Sequence, residues 1–279
     1  MLDQQEVSRE ILAELEAGKL VLPTLPDVAL RVSDAADDPN VSLDELAEVI
    51  ATDVALATQL IRVANSPLYR GRFPVDNVQT AVSRLGLKIT KNLVSSLIME
   101  QMFNAPSASL EARLEELWEH SVEVAAISRV LASKQPGIST DEAMLAGLAH
   151  AIGVLPILLK ADREPERFDD AEGLRAVIRN LSAPVGVAIL EKWGFPEGLV
   201  EVVAEHENYQ RQSVGEPDLV DIVQVANLQS HYDDHGMGEA ELASIPSFAK
   251  LGVQAEVHVV ELEENSEEYA EALALFGRH

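Results

Sequence analysis

Cysteine is absent from the 279 residues. That excludes disulfide cross-links, thiolate nucleophiles and Cys-ligated zinc. Aromatic residues are scarce, at 4%. Leu, Val and Ala dominate the apolar content, a composition that suits closely packed helices better than aromatic-rich sheets. Basic residues are heavily outnumbered: 21 Lys and Arg face 47 Asp and Glu, for a formal net charge of −26. Such a chain repels nucleic acid and anionic lipid as a whole, and its self-repulsion favours solubility. The polar, acidic opening from Met1 to Glu10 is unlike a signal peptide. The longest apolar run, residues 143–159, is interrupted by His150, Gly153 and Pro156, so a buried core helix is expected there rather than a membrane span. A soluble, cytoplasmic protein is the resulting expectation. With 47% hydrophobic residues, the chain is long enough for one large domain or two small ones.

What is present is dense helix signalling. Ser42-Leu43-Asp44-Glu45 reads as a capping box opening a helix toward Ile50. Leu56, Leu60 and Val63 share one face of a helix over residues 53–64, which Asn65-Ser66-Pro67 stops. A short helix opens near Asp76, is broken at Leu85-Gly86-Leu87 and resumes to about Phe103. Residues 104–109 read as a linker between two lobes. A long helix over 110–133 follows. Ser139-Thr140-Asp141-Glu142 caps the next, which Pro156 is expected to kink or end. Residues 161–172 read as a charged loop. Two helices each carry a proline in the first turn, over 184–193 and 196–206. Further helices are expected over 217–232 and 261–276. The helix stripes predict burial of Trp118 and Trp193.

Several stretches resemble a known family. Leu22-Pro23-Thr24-Leu25-Pro26, then Asp38-Pro39, Ala64-Asn65-Ser66-Pro67-Leu68-Tyr69 and Leu85-Gly86, are similar to the N-terminal half of HDOD domains. Leu117-Trp118-Glu119-His120-Ser121, the segment from Ala146 to Gly153 and the segment from Ile189 to Pro196, ending near His206, look like the half related to HD phosphohydrolases. The resemblance covers roughly residues 20–207. It implies an all-α, two-lobed fold: an N-terminal helical lobe (1–106), an HD-like lobe (107–212) and a C-terminal helical extension packing on it (213–279).

HD enzymes hold one or two divalent metals on His and Asp, and the metal turns a bound water into a nucleophile. On the resemblance, His120 matches the first ligand and His150 the His of the His-Asp doublet, but the Asp position is Ala151. Ser182 stands where a further His is often found. His206 matches the first His of a later pair, with Glu207 at the second. Asn227 stands at the late Asp position. The resemblance therefore implies a relic site without catalytic residues or a tightly held cofactor, zinc on the three imidazoles being the exception to test. The plainer reading places His120 and His206 as core residues with satisfied hydrogen bonds. His231 and His235 have a metal-like i, i+4 spacing but no third ligand in the pattern.

Charge is unevenly placed. Between Arg62 and Asn92 stand six basic residues and one acidic residue, Asp76. Arg70, Arg72, Arg84, Lys88 and Lys91 are the candidate binding residues, either docking on the acidic second lobe or meeting an anionic partner. Helix-turn-helix DNA binding at Leu85-Gly86-Leu87 is opposed by the global charge. No Gly-rich phosphate loop, Ser-His-Asp arrangement or glycosidase carboxylate pair stands out. The expected function is a non-catalytic regulatory or scaffolding module in bacterial signal transduction. Its partner in trans would be a receiver-type protein or a cyclic-dinucleotide enzyme, with no membrane or nucleic acid involved. A metal-dependent phosphohydrolase or phosphodiesterase with a His-rich site is the main alternative, and a nucleotide- or nucleic-acid-binding regulator the second.

Overall fold

The computed structural model describes residues 4–103, 107–230, 237–255 and 257–277, and among these no strand occurs. The first half contains α1 (Gln4–Glu16), α2 (Asp27–Asp37), α3 (Leu43–Ala51), α4 (Val54–Ala64) and α5 (Val78–Met102). The second contains α6 (Ala108–Ser133), α7 (Thr140–Ala149), α8 (Val154–Arg163), α9 (Ala171–Lys192), α10 (Glu197–Glu205) and α11 (Leu219–Leu228). Then come α12 (Glu239–Leu242), α13 (Pro246–Leu251), a 3-10 turn (Val259–Glu261) and α14 (Ser266–Phe276). Of the expected linker over 104–109, residues 104–106 lie outside the described residues, as does the His231–His235 pair, and residues 108–109 already belong to α6.

Caps fall where short polar side chains stand. The Ser42 hydroxyl accepts from the Glu45 amide while the Glu45 carboxylate accepts from the Ser42 amide, closing a reciprocal box on α3. Asp53, Asn77, Ser139, Asp170 and Asp218 cap α4, α5, α7, α9 and α11 in the same one-sided or reciprocal way. Gly86 interrupts α5 at φ 77°, a left-handed backbone that side chains resist. The helix bends there instead of ending.

Helices α2, α3 and α4 pack on α5, and α5 leans on α7 of the second lobe. In that lobe α6 lies along α7, while α11 sits among α6, α7, α10 and α13. Every residue of α11 from Val220 to Leu228 is buried, so its polar members must find partners inside. Helix α14 returns to α6, where Trp118 packs between Phe103 and Phe276, with ring centroids 5.0 and 6.4 Å away. Helix α1, although first in the chain, packs on α9, and its Glu10 and Glu14 meet Lys160 of α8 and Arg167 of the segment between α8 and α9. Trp118 and Trp193 are both buried, as their stripes predict. A fully buried Leu or Phe contributes roughly 1.5–3 kcal/mol, and the apolar core runs unbroken from Val7 to Phe276 across both lobes.

Proline produced two departures from expectation. The helix capped by Ser139 stops at Ala149, before Pro156, and Pro156 lies in the first turn of α8, where its missing N–H is harmless. At that break the chain packs closely on α9: a Cβ on Gly153 would stand 1.9 Å from the Ser182 carbonyl. Pro184, expected at a helix start, lies inside α9. There the buried stripe Leu174, Val177, Leu181, Val185 and Ile189 continues on both sides of it, and burial outweighs one lost hydrogen bond. The segment read as a loop from residue 161 is still helical to Arg163. The helices expected over 217–232 and 261–276 are shorter, as α11 and α14. Two apolar stretches, Thr140–Arg163 and Ala171–Lys192, are long enough by composition to cross a membrane, but 83% of the most apolar window of the first is buried within the fold.

Candidate functional site

Four elements of the second lobe converge on one cavity of about 440 Å3. His120 comes from mid α6, His150 from the turn just after α7, His206 from the C-cap of α10 and Asn227 from α11. Ala151, Ser182 and Glu207 also line it. All seven positions that the HD resemblance picks out thus share one wall-to-wall space, although they are spread over more than a hundred residues. Leu117, Val154, Leu158, Leu174 and Ile178 give it apolar walls, and Arg113, Glu116 and Arg175 are exposed residues of its lining.

The imidazoles are coupled to one another. His120 Nε2 lies 3.1 Å from His150 Nε2, and the His150 ring stands edge-on to both His120 and His206, at 5.0 and 5.2 Å between centroids. His150 Nδ1 is 2.6 Å from the Gly147 carbonyl, and His206 Nδ1 is 3.1 Å from the Val203 carbonyl. A carbonyl only accepts, so both Nδ1 atoms carry protons, and in the uncharged His150 the lone pair falls on Nε2. His150 therefore accepts from the His120 Nε2–H. Burial, and then the proximity of His120 and His206, push the His150 pKa well below the usual 6.5, the Gly147 bond offsetting only part of this. Near neutral pH His150 is therefore uncharged.

These hydrogen bonds bear on metal binding. Carbonyl-anchored imidazoles are good zinc donors in principle. Here the His150 lone pair is spent on His120. The position beside His150 is Ala151, which cannot ligate, and Asn227 supplies no charge; its Nδ2 faces the Tyr209 hydroxyl at 3.5 Å. Among the described residues no three His, Asp or Glu side chains are arranged to hold a metal ion. Magnesium and manganese, which need several anionic oxygens, do not fit this donor set.

A second buried polar cluster was not visible in the sequence. The Tyr69 hydroxyl donates to Asp141, whose Oδ1 also accepts from Arg129 Nη1 at 2.9 Å. Arg129 Nε lies 3.4 Å from Glu268 on α14. Burial and the adjacent Asp141 charge drive the Tyr69 pKa upward. The sequence signal existed, since Tyr69 closes one family motif and Asp141 lies in a cap, but nothing linked them.

The basic island splits in two. Arg84 donates to the Ala64 and Phe73 carbonyls, Lys88 reaches Glu142 on α7 at 3.0 Å, and Lys91 pairs with Asp37 at 2.6 Å. Arg62, Arg70 and Arg72 are exposed.

Comparison with known proteins agrees with the family resemblance of the sequence and with the all-helical fold. The HDOD domain matches residues 22–209, and the chain belongs to the HDOD family. It is 30% identical to a Shewanella amazonensis SB2B protein named as a presumed metal-dependent phosphohydrolase, with a TM-score of 0.85 over 98% of this chain and 99% of that one. An HDOD domain protein of Geobacter sulfurreducens, itself of unknown function, shares the fold at 22% identity and a TM-score of 0.69, over 98% and 99% of the two chains. An uncharacterised protein of Treponema pallidum (strain Nichols) is 26% identical over 239 residues. That match covers 81% of this chain but 44% of the relative, so the chain spans less than half the length of that curated protein.

Proposed function

We propose that this HDOD chain is a non-catalytic regulatory module of signal transduction that acts through protein contacts, a receiver-type or cyclic-dinucleotide-metabolising protein being the partner class that its family resemblance suggests. One observation carries the reading: the cavity where the HD resemblance places the metal site has Ala151 and Asn227 at its carboxylate positions, and His120 and His150 are hydrogen-bonded to each other. Hydrolysis by the HD route needs an ion with open positions and an activated water, and a lining that lacks those carboxylates and has its His150 lone pair occupied supports neither. The second reading, a metal-dependent phosphohydrolase, draws on the name of the Shewanella relative and on the two carbonyl-anchored imidazoles. Elemental analysis of the purified chain, run with assays on cyclic dinucleotides and generic phosphodiesters, separates the two. The regulatory reading expects substoichiometric metal and no turnover. One metal per chain, with turnover abolished by His150→Ala, overturns it.

A further inference from the structure

The exposed half of the basic island sits on a loop built to keep its shape. Asn65, at the end of α4, bridges the loop's two ends: its Nδ2 donates to the Val75 carbonyl at 2.7 Å and its Oδ1 accepts from the Val75 amide at 2.8 Å. Arg84 lies beneath the tip, donating to the carbonyls of Ala64 and Phe73. Tyr69 anchors the inner side through Asp141. Residues 70–74 remain outside. Phe73 is 68% exposed, and the Arg72 guanidinium lies 5.5 Å from its ring centroid. Arg62 is exposed on α4, one turn before the Asn65 bridge. Among the described residues no carboxylate pairs with Arg62, Arg70 or Arg72, although the chain carries 47 acidic residues.

We propose that Arg62, Arg70, Arg72 and Phe73 form a docking surface for an acidic protein segment that carries an apolar side chain. Arg and aromatic side chains dominate binding energy at protein interfaces, and a loop already pinned loses little entropy when a partner seats. Carboxylates of the segment would take the guanidinium forks, and its apolar side chain would cover Phe73. Charge decides the class of occupant. At physiological salt the three arginines act over about 8 Å, so a short acidic segment fits within their reach. A nucleic acid running past the loop would meet the acidic remainder of a chain of net charge −26. The inference rests on the regulatory reading, whose partner it specifies by chemistry.

The test uses the full chain and a fluorescein-labelled dodecapeptide of Glu and Asp interleaved with Phe and Leu, followed by anisotropy. Controls are the same peptide with Gln and Asn for the acids, the acidic peptide with Ser for Phe and Leu, and a single-stranded DNA oligomer. Expected are binding of the first peptide, weakening with salt, and a loss of roughly tenfold or more on Arg70→Glu/Arg72→Glu. Phe73→Ser should narrow the gap between the first and third peptides. These side chains are exposed, so both variants should melt with the parent chain. Absence of binding, binding indifferent to the double variant, or DNA bound more tightly than the peptide would each overturn the proposal. Metal-dependent turnover would refute the regulatory reading while leaving the anisotropy result standing, so the two failures are distinct.

Discussion

Helices α6 and α7 form a hairpin whose two ends each bury polar groups, and the ends solve that problem differently. Toward the closed end, Arg129 and Asp141 form an ion pair at 2.9 Å, with Tyr69 brought in from the first lobe. At the open end, burial keeps His150 uncharged near neutral pH, and it shares one hydrogen bond with His120 beside a cavity. Burial without a counter-charge favours the neutral form, and burial with one can retain the ion pair. The ion-paired end joins first lobe, second lobe and α14, and the histidine end faces the cavity.

That contrast can be broken most severely at Asp141. Asp141→Ala leaves Arg129 buried without its principal partner, and urea unfolding should show a loss of about 3–5 kcal/mol. His150→Leu at the other end should cost less, about 1–3 kcal/mol, because volume is kept while the Gly147 carbonyl and the His120 N–H lose a partner.

The pH response separates the ends next. The folded-state pKa of His150 lies below 6.5, so its contribution is complete above that pH and is lost as pH falls beneath it. The slope is at most about 1.4 kcal/mol per pH unit for one proton. The folded-state pKa of Tyr69 lies above 10.0, so its contribution is complete below that pH and is lost as pH rises past it. Urea midpoints across pH should therefore lose the acid-side slope in His150→Leu and the alkaline one in Tyr69→Phe. At neutral pH, Tyr69→Phe should cost about 1 kcal/mol, the usual worth of one hydrogen bond. The smallest effect belongs to Lys88→Ala, which removes a bridge between the lobes. The Lys88 side chain is 70% exposed, so about 0.5 kcal/mol or less is expected by the same measurement.

Local signals made most of the fold legible. Capping side chains at Ser42, Asp53, Ser139 and Asp218 act within three residues of themselves, so they can be read from sequence. Pro184 could not be placed in this way, because the stripe that carries α9 through it depends on distant packing. The cavity positions were legible through the family motifs alone; nothing in the spacing of His120, His150 and His206 announces that their rings touch. The Tyr69–Asp141 bond spans seventy-two positions and has no local signature. The division of the basic island was equally hidden. Whether Lys91 meets Asp37 depends on which face of α5 turns inward, and whether Arg72 meets solvent depends on how the loop after α4 folds.

The two tryptophans offer a use unrelated to their packing. Each indole N–H donates to a backbone carbonyl from a remote part of the chain, Trp118 to Phe276 and Trp193 to Pro23, both at 3.1 Å. With two tryptophans in the sequence, Trp118→Phe and Trp193→Phe each leave a single intrinsic fluorophore. The indole left in the first variant reports on the seating of the segment before α2, and the one left in the second on α14. Emission maxima followed through unfolding would show which of these two segments peels away first, without any attached dye.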